Sequence, residues 1–184
     1  MASIRLMAPQ DAEATATTDA LSDVDRFVQQ WREQRPDLDP SPIALFGRVH
    51  RVYLRYQAVI AKSFDDFGLN PASFDVLAAL RRAGEPYRMS GTELAAESLL
   101  SSAGITFRLD KLEQAGLITR IRDTHDRRVV HSQLTPEGLA LIDQAIATHL
   151  ANEHRLLAGV DAADADQLAA LLQRLEDSIL AAQE

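Results

Sequence analysis

The 184-residue sequence predicts a mainly α chain with one small β element. Three observations lead there. Apolar residues recur at helical spacing along most of the chain. Several of these stretches open on a capping residue followed by proline (Ser41-Pro42, Asn70-Pro71, Thr135-Pro136). Two short runs, Leu117 to Arg122 and Val129 to Leu134, flank a polar turn, the pattern of a β-hairpin.

The elements follow in order. Residues 1–19 are rich in Ala, Thr and Asp without a buried-face pattern and read as a flexible tail. Leu21, Val24, Phe27, Val28 and Trp31 have helical spacing, and the prolines after Arg35 make a linker, so residues 20–42 read as a helix plus linker. Ser41 is the expected N-cap of a long helix with apolar positions from Ile43 to Phe64, stopped by Gly68; residues 43–69 form this segment. Asn70-Pro71 opens a helix that buries Phe74, Val76, Leu77 and Leu80 and ends at Gly84. Ser90 followed by Glu93 is a capping box for a short helix through Leu94. After a turn, Ser101 caps a helix running to Gly116 with Ile105, Leu109 and Leu112 inward. The two-stranded hairpin closes the 70–134 segment. Residues 135–184 hold two more helices, one to about Ala158 and an acidic one from Asp161 to Ala182 with Leu168, Leu171, Leu172, Leu175 and Ile179.

Composition narrows the function. With 46% hydrophobic and 25% charged residues the chain is globular, not disordered, collagenous or a coiled-coil rod. It has no apolar run long enough to span a bilayer and no signal-peptide pattern in Met1 to Thr18, so a cytoplasmic protein without membrane partner is expected. The absence of cysteine excludes disulfides, thiolate metal sites and thiol switches. The net charge of −8 argues against nucleic acid, but its distribution reverses that argument. Residues 1–42 carry a net −4 and residues 132–184 a net −7, whereas residues 43–131 carry +3. Seventeen of the nineteen basic residues are arginine, the side chain suited to bidentate phosphate and guanine contacts. A local basic face outweighs the total for nucleic-acid binding.

A short helix, a turn, a second helix and a hairpin make a winged helix–turn–helix, whose second helix enters the DNA major groove. Its exposed face would hold Ser102, Ala103, Thr106, Phe107, Arg108 and Lys111, and the hairpin tip Asp126, Arg127 and Arg128. Thr106 can hydrogen-bond a base and Ala103 can touch a thymine methyl. The stretch from Leu94 to Ile142 resembles the MarR family of transcriptional regulators, most specifically in Asp126-Arg127-Arg128, Leu134-Thr135 and Gly138, and in Leu109-Asp110-Lys111-Leu112-Glu113 with Gly116-Leu117-Ile118. The resemblance covers roughly residues 43–182. It implies a homodimer whose first long helix and last two helices form the interface, reading a palindromic operator in double-stranded DNA. It also implies that Arg128, held by Asp126, is the wing arginine, with Arg127 a second contact. Phe107 departs from the polar residue usual at its position.

The segment from Phe27 to Val52 resembles the urate-responsive branch of that family, which adds an N-terminal helix. By that resemblance Trp31, Asp75, Arg108 and Arg120 would bind a small aromatic anion, urate first and a phenolic or indolic carboxylate as the alternative. Trp31 would stack, Arg120 would pair with the anion, and an Asp75–Arg108 pair would link the ligand to the recognition helix. The chain is then a repressor released by its ligand. A small-molecule-binding or protein-interaction module without DNA binding is the alternative of a different class. No enzyme is expected, because no nucleophile or base accompanies these residues and no phosphate-loop, nucleophile-elbow or dinucleotide motif is present. No metal or other cofactor is expected either: His149 and His154 lie five apart, and His50, His125 and His131 show no carboxylate pattern nearby.

Overall fold

A computed structural model describes residues 22–97, 104–124, 126 and 128–183. Seven helices and three strands lie in these residues: α1 Asp23–Gln34, α2 Ser41–Phe64, α3 Pro71–Arg82, β1 Arg88–Ser90, α4 Gly91–Glu97, α5 Ile105–Gln114, β2 Ile118–Arg122, β3 Val130–Leu134, α6 Pro136–Leu156 and α7 Ala162–Ala181. The chain divides into two compact units, residues 1–55 and residues 56–184, with the boundary inside α2.

In the first unit α1 is fastened to α2. Ser22 caps α1 by accepting the Asp25 N–H. Arg51 reaches Asp23 at 2.8 Å and Arg48 reaches Asp25 at 2.8 Å. Val24 is buried and touches Gly47, where a Cβ would stand 3.0 Å from its methyl. The start of α2 corrects the expected cap. Ser41 is already helical, and Asp39 does the capping: its carboxylate accepts both the Ser41 N–H at 2.9 Å and the Ser41 hydroxyl at 2.8 Å. The two carboxylate oxygens take one bond each, Oδ1 from the N–H and Oδ2 from the hydroxyl.

In the second unit α3 is the centre. Asn70 accepts the Ser73 N–H at 2.9 Å and Pro71 occupies the first turn, as the sequence expects. Every residue from Ser73 to Leu80 is buried. Phe74 stacks on Phe64 of α2 with centroids 4.3 Å apart, and Leu77, Leu80, Leu94, Leu112, Ile118 and Ile142 complete the core. Arg81 pairs with Asp143 at 2.7 Å, tying α3 to α6. His149, on α6, lies 4.9 Å from the Phe74 ring and 3.2 Å from Glu153, which also accepts the Tyr56 hydroxyl. Burial, and then the Glu153 carboxylate, push the Tyr56 hydroxyl up to about 12.

The sheet corrects the expected two strands to three, in the order β1-β3-β2, all antiparallel. The hairpin pairs Ile118 with Leu134 and Arg122 with Val130; β1 adds Arg88 opposite Gln133 and Ser90 opposite His131. Three residues are too few to show an alternating pattern, so β1 has no signature of its own. The hairpin is locked to α6 through Thr135, which caps that helix, donates its hydroxyl to Gly116 O at 2.8 Å and its N–H to Leu117 O. Gly138 lies against that same carbonyl: an added Cβ would come within 1.9 Å of it. The glycine is thus required by close approach of helix to strand.

Candidate nucleic-acid interface

The interface is built by α4, α5 and the β2–β3 hairpin. Ser90 and Glu93 form the expected capping box at the start of α4: the Ser90 N–H donates to Glu93 Oε2 at 2.7 Å, and the Glu93 N–H donates to Ser90 Oγ at 3.3 Å. The turn between α4 and α5 lies outside the described residues, and with it Ser101, Ser102 and Ala103. Gly104 precedes α5 with a left-handed φ of 92°, a conformation that favours glycine. Ile105, Leu109 and Leu112 point α5 into the core, so Thr106, Phe107 and Lys111 face outward. Arg108 is half-buried on the flank.

Arg120 of β2 fastens this helix to the hairpin. It donates to Asp110 Oδ1, approaches Glu113 at 3.6 Å and reaches Thr106 O at 3.4 Å. These partners are acidic residues of the recognition helix itself, a pairing that neither helical nor strand periodicity marks in advance.

The hairpin tip is ordered by two aspartates. Asp123 accepts the Asp126 N–H at 2.9 Å and approaches His131 Nε2 at 3.1 Å. This corrects the expectation that His131 lacks a carboxylate neighbour; the partner comes from the opposite strand. Asp126 then accepts the Arg128 N–H at 3.0 Å and two N–H groups along one edge of its guanidinium, Nε at 3.1 Å and Nη2 at 3.0 Å. The Arg128 guanidinium holds the Asp126 carboxyl below the usual range. Arg128 itself is 91% exposed, a cation fixed in direction yet open to a ligand. Arg127 and His125 lie outside the described residues.

The four residues expected to bind a small ligand are distributed as follows. Trp31 is half exposed on α1, in the first unit. Asp75, Arg108 and Arg120 belong to the second unit. Asp75 is only 9% exposed, and its Oδ2 is buried without a hydrogen-bond partner among the described residues. Among the described residues no ion pair joins Asp75 to Arg108: the expected pair is absent, and the bridge between recognition helix and neighbouring element is made by Arg120 with Asp110. The sequence places Asp110 and Glu113 in the family motif and Asp123 at the hairpin tip, but it does not reveal their pairing with Arg120 and His131. For Asp123 a signal existed, since Asp followed three residues later by Asp is a polar-turn pattern.

The described residues contain no group of three or more His, Asp or Glu placed to hold a metal ion. Among them no helix is long and apolar enough to cross a membrane.

Comparison with known proteins agrees with this architecture. A MarR-family model matches residues 67–129, the core of the interface. The transcriptional regulator PecS of Dickeya dadantii (strain 3937) is 39% identical over 158 residues, covering 86% of this chain and 95% of PecS. The chain belongs to the MarR family. Among solved structures, that of BpsR of Bordetella bronchiseptica, concerned with the regulation of its DNA binding by 6-hydroxynicotinic acid, is 25% identical with a TM-score of 0.63, covering 72% of this chain and 98% of BpsR. A mutant MarR from E. coli complexed with operator DNA shares the fold, with a TM-score of 0.64 at 23% identity, over 79% of this chain and 96% of that one. These relatives are DNA-binding regulators, not enzymes, which agrees with the expectation from sequence. In MarR-family terms α5 is the recognition helix and the β2–β3 hairpin the wing.

Proposed function

We propose that this MarR-family regulator is a cytoplasmic homodimeric repressor that leaves palindromic operator DNA when a small aromatic anion binds. Urate is the first candidate, with Asp75, Arg108 and Arg120 of the second unit as the contacting residues. The observation that carries the reading is Asp75: a carboxyl on α3 that is nine-tenths buried, with one oxygen that has no hydrogen-bond partner among the described residues. An unsatisfied buried acceptor is costly. A ligand with ring N–H donors, such as a purine, would satisfy it. Arg120 supplies the coupling. It holds α5 through Asp110 and Glu113, and an anion competing for its guanidinium would loosen that hold on the recognition helix. A ligand shifts DNA affinity only by its differential affinity for the two states, and coupling of ~1–3 kcal/mol, about 5–150-fold, is typical. Arg128 and Lys111 provide phosphate or base contacts, joined by Arg127, Ser102 and Ala103, and Thr106 reads a base.

The BpsR likeness favours a second reading within the same site, an aromatic carboxylate such as a hydroxylated nicotinate, whose anionic end would take Arg120 or Arg108.

The test is fluorescence anisotropy of labelled DNA from the gene's own upstream region, titrated with urate and, separately, with 6-hydroxynicotinate. Urate should release the DNA. Asp75→Asn should keep DNA binding and lose most of the response, and Arg120→Ala should lose ligand affinity. An intact DNA complex at millimolar urate contradicts the urate assignment; release by the nicotinate alone selects the second reading.

A further inference from the structure

Phe107 is a large apolar side chain where a helix surface ordinarily carries a polar one. The buried residues Ile105, Leu109 and Leu112 define the inner face of α5. At about 100° per residue, Phe107 falls opposite the centre of that face, and Lys111, one turn later, continues the same outer row. The ring is 61% exposed. Lys111 Nζ stands over it, 4.6 Å from the centroid. Single exposed apolar residues are common on protein surfaces. This one occupies the row that a helix–turn–helix presents to the major groove, and a cation is seated on one face of its ring. The ammonium favours one orientation of the ring and leaves the other face and the edge for a neighbour. Phenylalanine has no hydrogen-bonding group with which to read a base edge. The apolar feature of the major groove is the C5-methyl group of thymine.

We propose that Phe107 is a specificity-determining residue that selects thymine through its C5-methyl group, with Lys111 holding the ring and supplying the charge for a neighbouring acceptor. This rests on the DNA-binding reading and sharpens it: the usual polar readout at this position is replaced by apolar readout.

The experiment uses the full chain and DNA selected by it from a random pool. Each thymine of the selected site is replaced in turn by deoxyuridine, which removes the methyl group and nothing else. The wild-type chain should lose about fourfold in affinity for each critical methyl removed, the worth of one buried methylene-sized group. Phe107→Ala should lose a similar factor on the thymine site and become indifferent to deoxyuridine, while Phe107→Leu retains part of the discrimination. The side chain is exposed, so both variants should keep the circular dichroism of the wild type. If the wild-type chain prefers the selected site over scrambled DNA but binds thymine and deoxyuridine versions equally, the thymine assignment is overturned and the DNA-binding reading stands. The same holds if Phe107→Ala keeps the full deoxyuridine penalty. If no sequence is enriched or preferred, the DNA-binding reading fails and the role of Phe107 fails with it.

Discussion

Helices α3 and α7 belong to the same unit and are both rich in leucine and alanine, yet they use these residues in opposite ways. In α3 eight consecutive residues are buried, polar Ser73 and Asp75 included. In α7, which is longer, no residue is buried, and Leu168, Leu171, Leu172, Ile179 and Leu180 all stand open in the single chain. A helix buried on all sides has its partners within its own chain. A helix with one apolar stripe and nothing on it is built for a surface the single chain does not supply. Phe46, Val49 and Tyr53 of α2 are exposed in the same manner. The family resemblance names the missing surface as a second copy.

The contrast can be broken most severely in α3. Leu80 is completely buried, and Leu80→Ala should cost about 2–5 kcal/mol of folding stability, read as a lowered midpoint in urea. In α7 the response should differ in kind. Leu168→Ser should leave the fold of each chain intact and weaken association, by about 1–3 kcal/mol per dimer, because the side chain is exposed in the single chain and would be buried by the proposed pairing. A thermal midpoint that rises with protein concentration in the wild type, and that is lower and rises less steeply in the variant, would show it. Thr135→Ala removes the cap of α6 and its bond to Gly116, and should cost ~1 kcal/mol without altering the dimer.

The smallest effect belongs to the first unit. Hydrogen bonding to Arg51 holds the Asp23 carboxyl below its usual range, and bonds from Ser22 and then Arg48 do the same for Asp25. A depressed folded value means that the clamp contributes stability above the unfolded aspartate range and loses it as pH falls through the folded value. Exposed pairs are worth little, so acid should loosen α1 only slightly while α3 persists. Trp31, the single tryptophan, sits on α1 and reports this loosening by its emission. Arg48→Gln should reproduce part of the change at neutral pH.

The same contrast explains what could be read from sequence. The bounds of α3 were legible because Asn70, Pro71 and Gly84 punctuate a long apolar run. The α5 face and the hairpin were legible because each carries its own period. Contacts made across elements left no such trace. Asp39 displaced Ser41 as the cap of α2 because its carboxylate reaches two groups of a residue two positions on. Arg120 found Asp110 and Glu113, and Asp75 found no Arg108, because which carboxylate meets which guanidinium is decided by how α5 packs against β2 and α3. The three residues of β1 become a strand only because β3 offers them an edge. Gly138 was noticed as part of a signature, and its reason, a carbonyl of Leu117 where a Cβ would sit, belongs to packing alone.

In the proposed homodimer a second copy of this chain covers the open stripes of α7 and α2 and sets two recognition helices on one operator. Sedimentation velocity of the full chain at micromolar concentration tests it directly. The expected result is a single species of twice the 20.3 kDa chain mass, falling toward the monomer in Leu168→Ser. A wild-type species of 20.3 kDa across that concentration range would contradict it.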